Sequence, residues 1–164
     1  MLFQRWLALL VGEDMLRDII ESMSYNMNIQ ALTIHPEQFR QNHQGKTVEK
    51  DQKAFLIAVR ILEAWAFNDS EKAVVLGDVP IATFRRMKAG KMSNKLTTDR
   101  RTRVSLILGI HKALRMMFLQ DAHILEWITH SNRAFAEYSP KDIMLSGSLV
   151  GLHDIRRYLD ALQS

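Results

Sequence analysis

The residues of this sequence that are best suited to binding chemistry are basic, and they are concentrated in one short segment. Between Arg85 and Arg103 the chain carries eight Lys and Arg side chains against a single acid, Asp99, a local balance of +7. The rest of the chain carries 14 basic and 17 acidic residues, so the whole excess of positive charge lies here. A concentrated basic stripe is typical of a surface that binds phosphate groups. The alternative is a solvated basic face without a partner.

This basic segment overlaps a pattern typical of two helices joined by a turn. Residues 69–90 read DSEKAVVLGDVPIATFRRMKAG, with Ala73 at the inner position of the first helix and Gly77 at the turn. A small alanine lets two helices cross closely, and glycine accepts a backbone geometry that is costly for other residues. If Phe84 and Met87 face inward, the second helix presents its outer face as the recognition helix of a helix-turn-helix motif.

That arrangement predicts contacts to DNA by residue type. Arginine suits bidentate hydrogen bonds to guanine, whereas basic residues beyond the helix are better placed to hold phosphates. The predicted contacts on or beside the outer face of the second helix are Ala82, Thr83, Arg85, Arg86 and Lys88, and the predicted phosphate contacts are Lys91, Lys95, Arg100 and Arg101. The alternative is a buried helical hairpin whose exposed arginines serve only solubility.

The remaining residues do not form a catalytic or metal-binding set. The chain has no cysteine, which excludes disulfides, thiolate zinc sites and cysteine nucleophiles. His123 and His130 are seven residues apart, but no third ligand completes a site at ligand spacing. The sequence contains neither a glycine-rich phosphate loop nor a serine nucleophile elbow, and Trp65 and Trp127 are predicted to be core anchors. We therefore expect a protein that is not an enzyme and that holds no cofactor and no metal.

The elements that must position the basic residues are all predicted to be α-helices. Three prolines and seven glycines in 164 residues leave few breaks, and no alternating β pattern or internal repeat is visible. A helix from Lys53 is predicted to bury one stripe, formed by Ala54, Ile57, Ala58, Ile61, Leu62 and Trp65. A short helix with N-cap side chains in Asn68-Asp69-Ser70-Glu71, ending at Leu76-Gly77, and the recognition helix over 81–89 follow. Next comes a long helix from Asp99, its cap, to about Leu119, with a core face of Val104, Ile107, Leu108, Leu114 and Phe118.

Both ends of the chain are also predicted to be helical. Toward the C-terminus the helices span 121–129, a stretch opened by Ser139-Pro140 and stopped by Gly147, and 149–163. At the N-terminus, residues 1–46 are a helical segment of unknown role, with a helix start at His35-Pro36-Glu37 and a polar connection over 41–51. Residues 2–11 predict an amphipathic helix docked on the body or on a partner. They are too short to span a bilayer and lack a cleavage pattern, so we expect a soluble, intracellular protein.

Two parts of the chain resemble the Xre/MbcA/ParS antitoxin family. The stretch WAFNDSE from Trp65, with Val75-Leu76-Gly77 and Thr83-Phe84-Arg85-Arg86, resembles the Xre-type helix-turn-helix of that family. The family's toxin-binding domain is similar to a second set of motifs: Trp127, Ser131-Asn132-Arg133-Ala134-Phe135, Ser139-Pro140-Lys141-Asp142-Ile143-Met144 and Gly151 to Leu162. In order and spacing these motifs cover about residues 53–164. The chain departs from the family pattern at Met87, where tryptophan is common, and over 135–138, where glycine is frequent.

The resemblance implies a bacterial, cytoplasmic antitoxin of a type II toxin–antitoxin system, with a helix-turn-helix domain over 47–120 and a toxin-binding domain over 121–164. It implies a homodimer or larger even oligomer that binds a cognate toxin, usually a RES-domain protein that consumes NAD, and represses its own operon by binding operator DNA. The toxin-facing residues it implies are Asn132, Phe135, Pro140, Leu149, Leu152, Ile155, Tyr158, Leu159 and Leu162. Two alternatives stay open: a stand-alone helix-turn-helix regulator whose C-terminal domain binds a protein or an effector, and an interaction scaffold without a DNA role.

Overall fold

The computed structural model describes residues 36–163, and for residues 36–46 it describes the backbone alone. Every regular element in this part of the chain is helical, which confirms the all-α prediction. The elements are α1 (Pro36–Ala64), α2 (Asp69–Val75), α3 (Ile81–Lys88), α4 (Thr98–Met117), α5 (Asp121–Thr129), a 3-10 turn (Arg133–Phe135), α6 (Pro140–Leu145) and α7 (Leu149–Leu162). None of the described helices has the length and apolarity needed to cross a membrane.

The chain divides into two compact units, Met1–Lys50 and Asp51–Ser164. Of the first unit, only the beginning of α1 lies within the described residues. The amphipathic helix predicted over 2–11 therefore falls outside them. The domain boundaries predicted after residues 46 and 120 stay predictions.

Helix α1 corrects two expectations. It begins at Pro36 as predicted, but it runs without interruption through residues 41–51, where the sequence indicated a polar connection. Those residues include no proline and several Gln, Lys and Glu side chains, which favour a helix even where no apolar stripe marks it. The buried surface is also wider than one stripe, because Phe55 and Val59 are buried together with most of the predicted stripe, while Ala54 is only half-buried.

Local capping defines α2 and the turn that follows it. Asn68 Oδ1 accepts a hydrogen bond from the Glu71 backbone N–H at 3.0 Å, and the Glu71 carboxylate accepts one from the Asn68 backbone N–H at 2.8 Å. This reciprocal pair satisfies two amides that the helix itself leaves free. At the other end Gly77 has φ +98°, and a Cβ there would lie 3.0 Å from the Asp99 carboxylate. The predicted turn glycine is thus confirmed.

Helix α4 starts and ends slightly earlier than predicted. Thr97 is its cap, with the hydroxyl accepting from the Arg100 amide at 3.3 Å, because Asp99 lies inside the first turn and pairs with Arg103 instead. The helix ends at Met117 rather than near Leu119. Its predicted core face is buried at Val104, Ile107 and Leu114 and half-buried at Leu108 and Phe118, while Leu106, Ile110 and Ala113 add to the buried surface.

Helix α7 packs along α4 in the same direction. The Arg103 guanidinium donates to the Gly147 carbonyl at 2.9 Å near the start of α7, and the Gln163 amide donates to the Ala113 carbonyl at 2.9 Å near its end. Helix α6 begins after a Ser139–Asp142 capping box, as Ser139-Pro140 predicted. It approaches α7 so closely that a Cβ on Gly151 would lie 2.7 Å from Ile143 Cγ2.

Candidate nucleic-acid interface and partner-binding domain

Helix α3 is docked by its inner face and open on its outer face. Phe84 and Met87 are buried, as predicted, and the Phe84 ring meets the Phe55 ring of α1 edge to face with centroids 6.0 Å apart. On the other side Ala82, Arg85 and Arg86 are exposed, while Thr83 and Lys88 are half-buried. The two arginines therefore extend from a helix whose orientation is set by its aromatic contact with α1.

Three of the eight basic residues between Arg85 and Arg103 are matched by acids. Lys88 lies 2.9 Å from Asp69 and Arg101 lies 2.9 Å from Asp51. The third, Arg103, is buried and pairs with Asp99 at 2.8 Å. Hydrogen bonds from Lys88 and Lys72 lower the pKa of Asp69, and the bond to Asp69 raises the pKa of Lys88. Lys88 and Arg101, both predicted DNA contacts, are thus held in ion pairs with residues outside the segment.

The other five, Arg85, Arg86, Lys91, Lys95 and Arg100, form no ion pair within the described part of the chain. All but Arg85 line a partly open cleft between α3, the loop after it and the first turn of α4. We call this the basic cleft; its lining residues are Thr83, Arg86, Met87, Lys91, Met92, Ser93, Asn94, Lys95, Leu96 and Arg100. Since no acidic side chain is among them, the basic cleft suits an anion.

A tight loop between α5 and α6 carries the aromatic residues of the C-terminal part. The Asn132 side chain accepts from the Ala134 amide at 2.9 Å, and Ala136 and Glu137 adopt φ values of +53° and +66°. Phe135 meets Tyr158 of α7 with ring centroids 5.0 Å apart. It also meets Trp127 of α5 at 6.5 Å. Trp127 is half-buried beside this loop and is not the core anchor that was predicted, whereas Trp65 is fully buried as expected.

Histidine placement follows packing. His123 lies against the Phe118 ring, and no group of three or more His, Asp or Glu residues within 36–163 is arranged to hold a metal ion. His111, which was not predicted to be a core residue, is buried in α4 next to Trp65. Burial, with the charge of Arg115, lowers the pKa of His111 to about 4. Its position on the buried side of α4, four residues after Ile107, was the available signal.

Comparison with known proteins identifies the C-terminal part. Residues 113–164 match the family described as the antitoxin Xre/MbcA/ParS C-terminal toxin-binding domain. The uncharacterized protein y4oB of Sinorhizobium fredii (strain NBRC 101917 / NGR234) is 35% identical to this chain over 102 residues, which are 62% of this chain and 78% of y4oB. The chain belongs to the Xre/MbcA/ParS antitoxin family.

The match to the toxin-binding domain begins inside α4. Its first residue, Ala113, lies in the last turns of a helix whose first turn borders the basic cleft. Helix α4 is therefore a single rigid element that reaches from the candidate nucleic-acid interface into the toxin-binding domain.

The toxin-facing residues implied by the family resemblance fall into two groups. Leu152, Ile155 and Leu159 are at most 1% exposed and pack into the core, and Pro140 is buried too. Asn132, Phe135, Leu149 and Tyr158 are half-buried, and Leu162 is 52% exposed. The first group supports the fold of the toxin-binding domain, and the second group has surface that a partner can contact.

Several exposed apolar side chains of the same domain were not predicted. Leu119 is 94% exposed, and Met116, Tyr138 and Val150 are also well exposed. They lie outside the helical stripes that the sequence reasoning used, so the pattern did not mark them. The signal for such residues is a large apolar side chain at a position that helical periodicity assigns to the exposed face.

Proposed function

We propose that this protein is the antitoxin of a type II toxin–antitoxin system that neutralises its cognate toxin by direct binding and represses its own operon by binding DNA. The match of residues 113–164 to a toxin-binding domain carries the proposal. The toxin is a RES-domain protein that consumes NAD, and the antitoxin acts in the bacterial cytoplasm as a homodimer or larger even oligomer.

The exposed apolar side chains support the toxin-binding half of the proposal. Large apolar residues that lie together on a surface mark sites of protein association, because their burial against a partner is favourable. Met116, Leu119 and Leu162 belong to the matched region, and Leu162 lies at the end of α7 that is bonded to Ala113. These residues provide toxin contacts that the buried Leu152, Ile155 and Leu159 do not.

The geometry around α3 supports the DNA-binding half. The short helices α2 and α3, joined by a turn at Gly77, support the assignment of a helix-turn-helix, a motif whose second helix enters the major groove. Arg85 and Arg86 extend from the outer face, and arginine is the side chain best suited to guanine edges. Cations without acidic partners keep their full attraction for phosphates.

Co-expression with the adjacent open reading frame tests the first half. The neighbour alone should arrest growth and lower cellular NAD, and this chain should rescue both. Arrest with steady NAD that is still rescued keeps the antitoxin and overturns the NAD-consuming partner. No toxicity from any neighbour contradicts the antitoxin and favours the stand-alone regulator.

An Arg85→Ala/Arg86→Ala double variant tests the second half. Binding to a duplex from upstream of its own gene should weaken at least about tenfold, since a good bidentate contact is worth about 1–3 kcal/mol. The matched control is Arg60→Ala/Arg133→Ala, which removes the same charge from exposed positions on α1 and the 3-10 turn. Equal weakening in both variants contradicts a specific role for α3, and unchanged binding in both contradicts α3 as the helix that binds DNA. A wild-type chain that does not bind the duplex favours a scaffold without a DNA role.

A further inference from the structure

The loop that carries much of the basic cleft is tied to α1. Gln52 forms two hydrogen bonds at the beginning of the loop: its Nε2 donates to the Met87 carbonyl at 2.8 Å, and its Oε1 accepts from the Met92 amide at 2.9 Å. One side chain of α1 thus joins the last turn of α3 to the loop. The backbone on both sides of Lys91 is fixed in consequence.

Asp51 fixes the other end of the same loop. This carboxylate is 7% exposed, and its Oδ2 accepts from the Leu96 amide at 2.7 Å. Its two oxygens also accept from the Arg101 guanidinium, at 3.2 Å from Nε and 2.9 Å from Nη2. The backbone beside Lys95 is held by a buried acid that does not itself line the basic cleft.

We propose that the basic cleft is a preformed site for one backbone phosphate of duplex DNA, and that Asp51 and Gln52 are its positioning residues. The inference rests on the DNA-binding half of the proposed function. A loop that is ordered before binding does not lose its conformational freedom when the phosphate arrives, so more of the charge attraction appears as affinity. Ser93, Asn94 and Thr83 place polar groups beside the cations, as phosphate contacts commonly require.

The same site separates the roles of the two arginines on α3. Arg86 lines the basic cleft and Arg85 does not. Successive residues on a helix point about 100° apart, which places the two side chains on opposite flanks of the outer face. Arg86 is therefore a phosphate ligand and Arg85 is the arginine that reads bases. This differs from the sequence prediction, which gave both arginines to base recognition.

The decisive variant is Asp51→Asn, because charge and positioning predict opposite signs. If charge alone mattered, removing a carboxylate near a DNA-binding surface and releasing Arg101 from its pair would strengthen binding. Loss of positioning instead predicts binding at least about fivefold weaker to both a duplex from upstream of the gene and an unrelated duplex of equal length. Fluorescence anisotropy on the full chain measures both affinities.

Two further variants keep the test independent of folding. Asp78→Asn is the matched control: it removes one exposed carboxylate from the turn before α3, at a φ of +49° that asparagine accepts, and should leave binding equal or tighter. Gln52→Ala changes no charge and should weaken binding in the same direction as Asp51→Asn. Circular dichroism and thermal unfolding establish whether each protein is folded at the assay temperature. If Asp51→Asn is not folded, the result for Gln52→Ala decides the test.

Salt dependence tests the division between the arginines. Arg86→Ala should reduce the slope of log K against log salt by about 1 and weaken both duplexes equally. Arg85→Ala should lower the ratio of the two affinities. Millimolar inorganic phosphate, added at constant ionic strength, should not displace DNA, since the duplex is held by several contacts and free phosphate replaces only one of them.

Four outcomes overturn the inference. The first is a folded Asp51→Asn or Gln52→Ala protein that binds DNA as tightly as Asp78→Asn does. The second is an Arg86→Ala variant whose ratio of affinities for the two duplexes falls as it does in Arg85→Ala. The third is displacement of DNA by millimolar inorganic phosphate. The fourth, a wild-type chain that binds neither duplex, overturns the DNA-binding function itself. The first three leave that function standing.

Discussion

Helices α3 and α7 are both amphipathic and both carry two adjacent arginines, but only the arginines of α7 form ion pairs within the described residues. On α7, Arg156 pairs with Asp160 and Arg157 pairs with Asp154, within one helical turn. On α3, Arg85 and Arg86 have no acidic partner among the described residues. Compensated charges on α7 are those of an ordinary solvated surface, whereas two adjacent uncompensated cations favour a partner that supplies the negative charge.

The apolar face of α7 is buried within the protein. The apolar stripe of α7 was implied to face a toxin, yet Leu152, Ile155 and Leu159 pack into the core. A stripe at helical spacing predicts where a helix is buried and does not say against what. Contacts with another chain are better sought among apolar residues outside the stripes, such as Leu119 and Val150.

The largest expected effect tests whether the stripe of α7 is core. Leu159→Ala should lower the free energy of unfolding by about 2–5 kcal/mol, because the side chain is fully buried and leaves a cavity. Urea denaturation measures the loss. Val150→Ala, on the same helix at 65% exposure, is the control and should change stability by less than about 0.5 kcal/mol. A stable Leu159→Ala protein that fails only to bind toxin would restore the stripe as an interface.

A second variant contrasts two arginines of the basic segment. The Arg103 guanidinium donates to the carbonyls of Val75 and Gly147 and pairs with Asp99, so it joins α2 to the start of α7. Arg103→Ala should cost about 2–3 kcal/mol of stability, because buried acceptors lose their donors. Arg85→Ala, at an exposed position with no ion pair to a described residue, should cost less than about 0.5 kcal/mol and show its effect on DNA binding instead. Equal thermal stability of the two variants would erase the distinction.

Helix α4 reaches from the candidate nucleic-acid interface into the toxin-binding domain. Its buried His111 makes the stability of the core around α4 sensitive to acid. Burial and the charge of Arg115 lower the pKa of His111 from 6.5 to about 4, so between these values the unfolded chain binds a proton that the folded chain does not. The histidine contribution to stability is therefore complete above about pH 6.5 and is lost as the pH falls, by about 2 kcal/mol at pH 5. Urea denaturation at pH 7 and pH 5 measures this difference. His111→Leu should reduce it, and the same difference in that variant would contradict the assignment.

The smallest expected effect concerns the loop before α6. Ala136 and Glu137 adopt the left-handed conformation that favours glycine, at φ +53° and +66°. Ala136→Gly or Glu137→Gly should each raise the free energy of unfolding by about 0.5–1 kcal/mol, because relief of strain exceeds the entropy cost of glycine. Ala134→Gly, in the 3-10 turn of the same loop, should lower stability and is the control for thermal melting. A decrease in all three would mean that the loop is unstrained.

Local features of the fold were readable from the sequence. The caps before α2 and α6 and the turn at Gly77 depend on neighbours within a few residues. The start of α6 and the turn were predicted, and the cap of α2 was placed within 68–71, where the structure selects Asn68. The misjudged cap of α4 shows the limit of such reading, because Thr97 and Asp99 are both good caps and only the register of the helix chooses between them. The continuity of α1 through its polar stretch was not predicted for a related reason, because polar residues that favour a helix show no apolar periodicity.

The sequence by itself determined the helical class, the inner face of α3 and the concentration of cations after it, because each follows from residue types at short spacing. Only the tertiary structure decided which of those cations are free. The acid opposite Arg101 is 50 residues away, the acid opposite Lys88 is 19 away, and the tie from Asp51 to the loop spans 45. Pairs at such separations depend on how helices pack, and helical periodicity carries no information about which distant residue the packing brings near. The same packing buried the stripe of α7 and left Arg85 and Arg86 exposed.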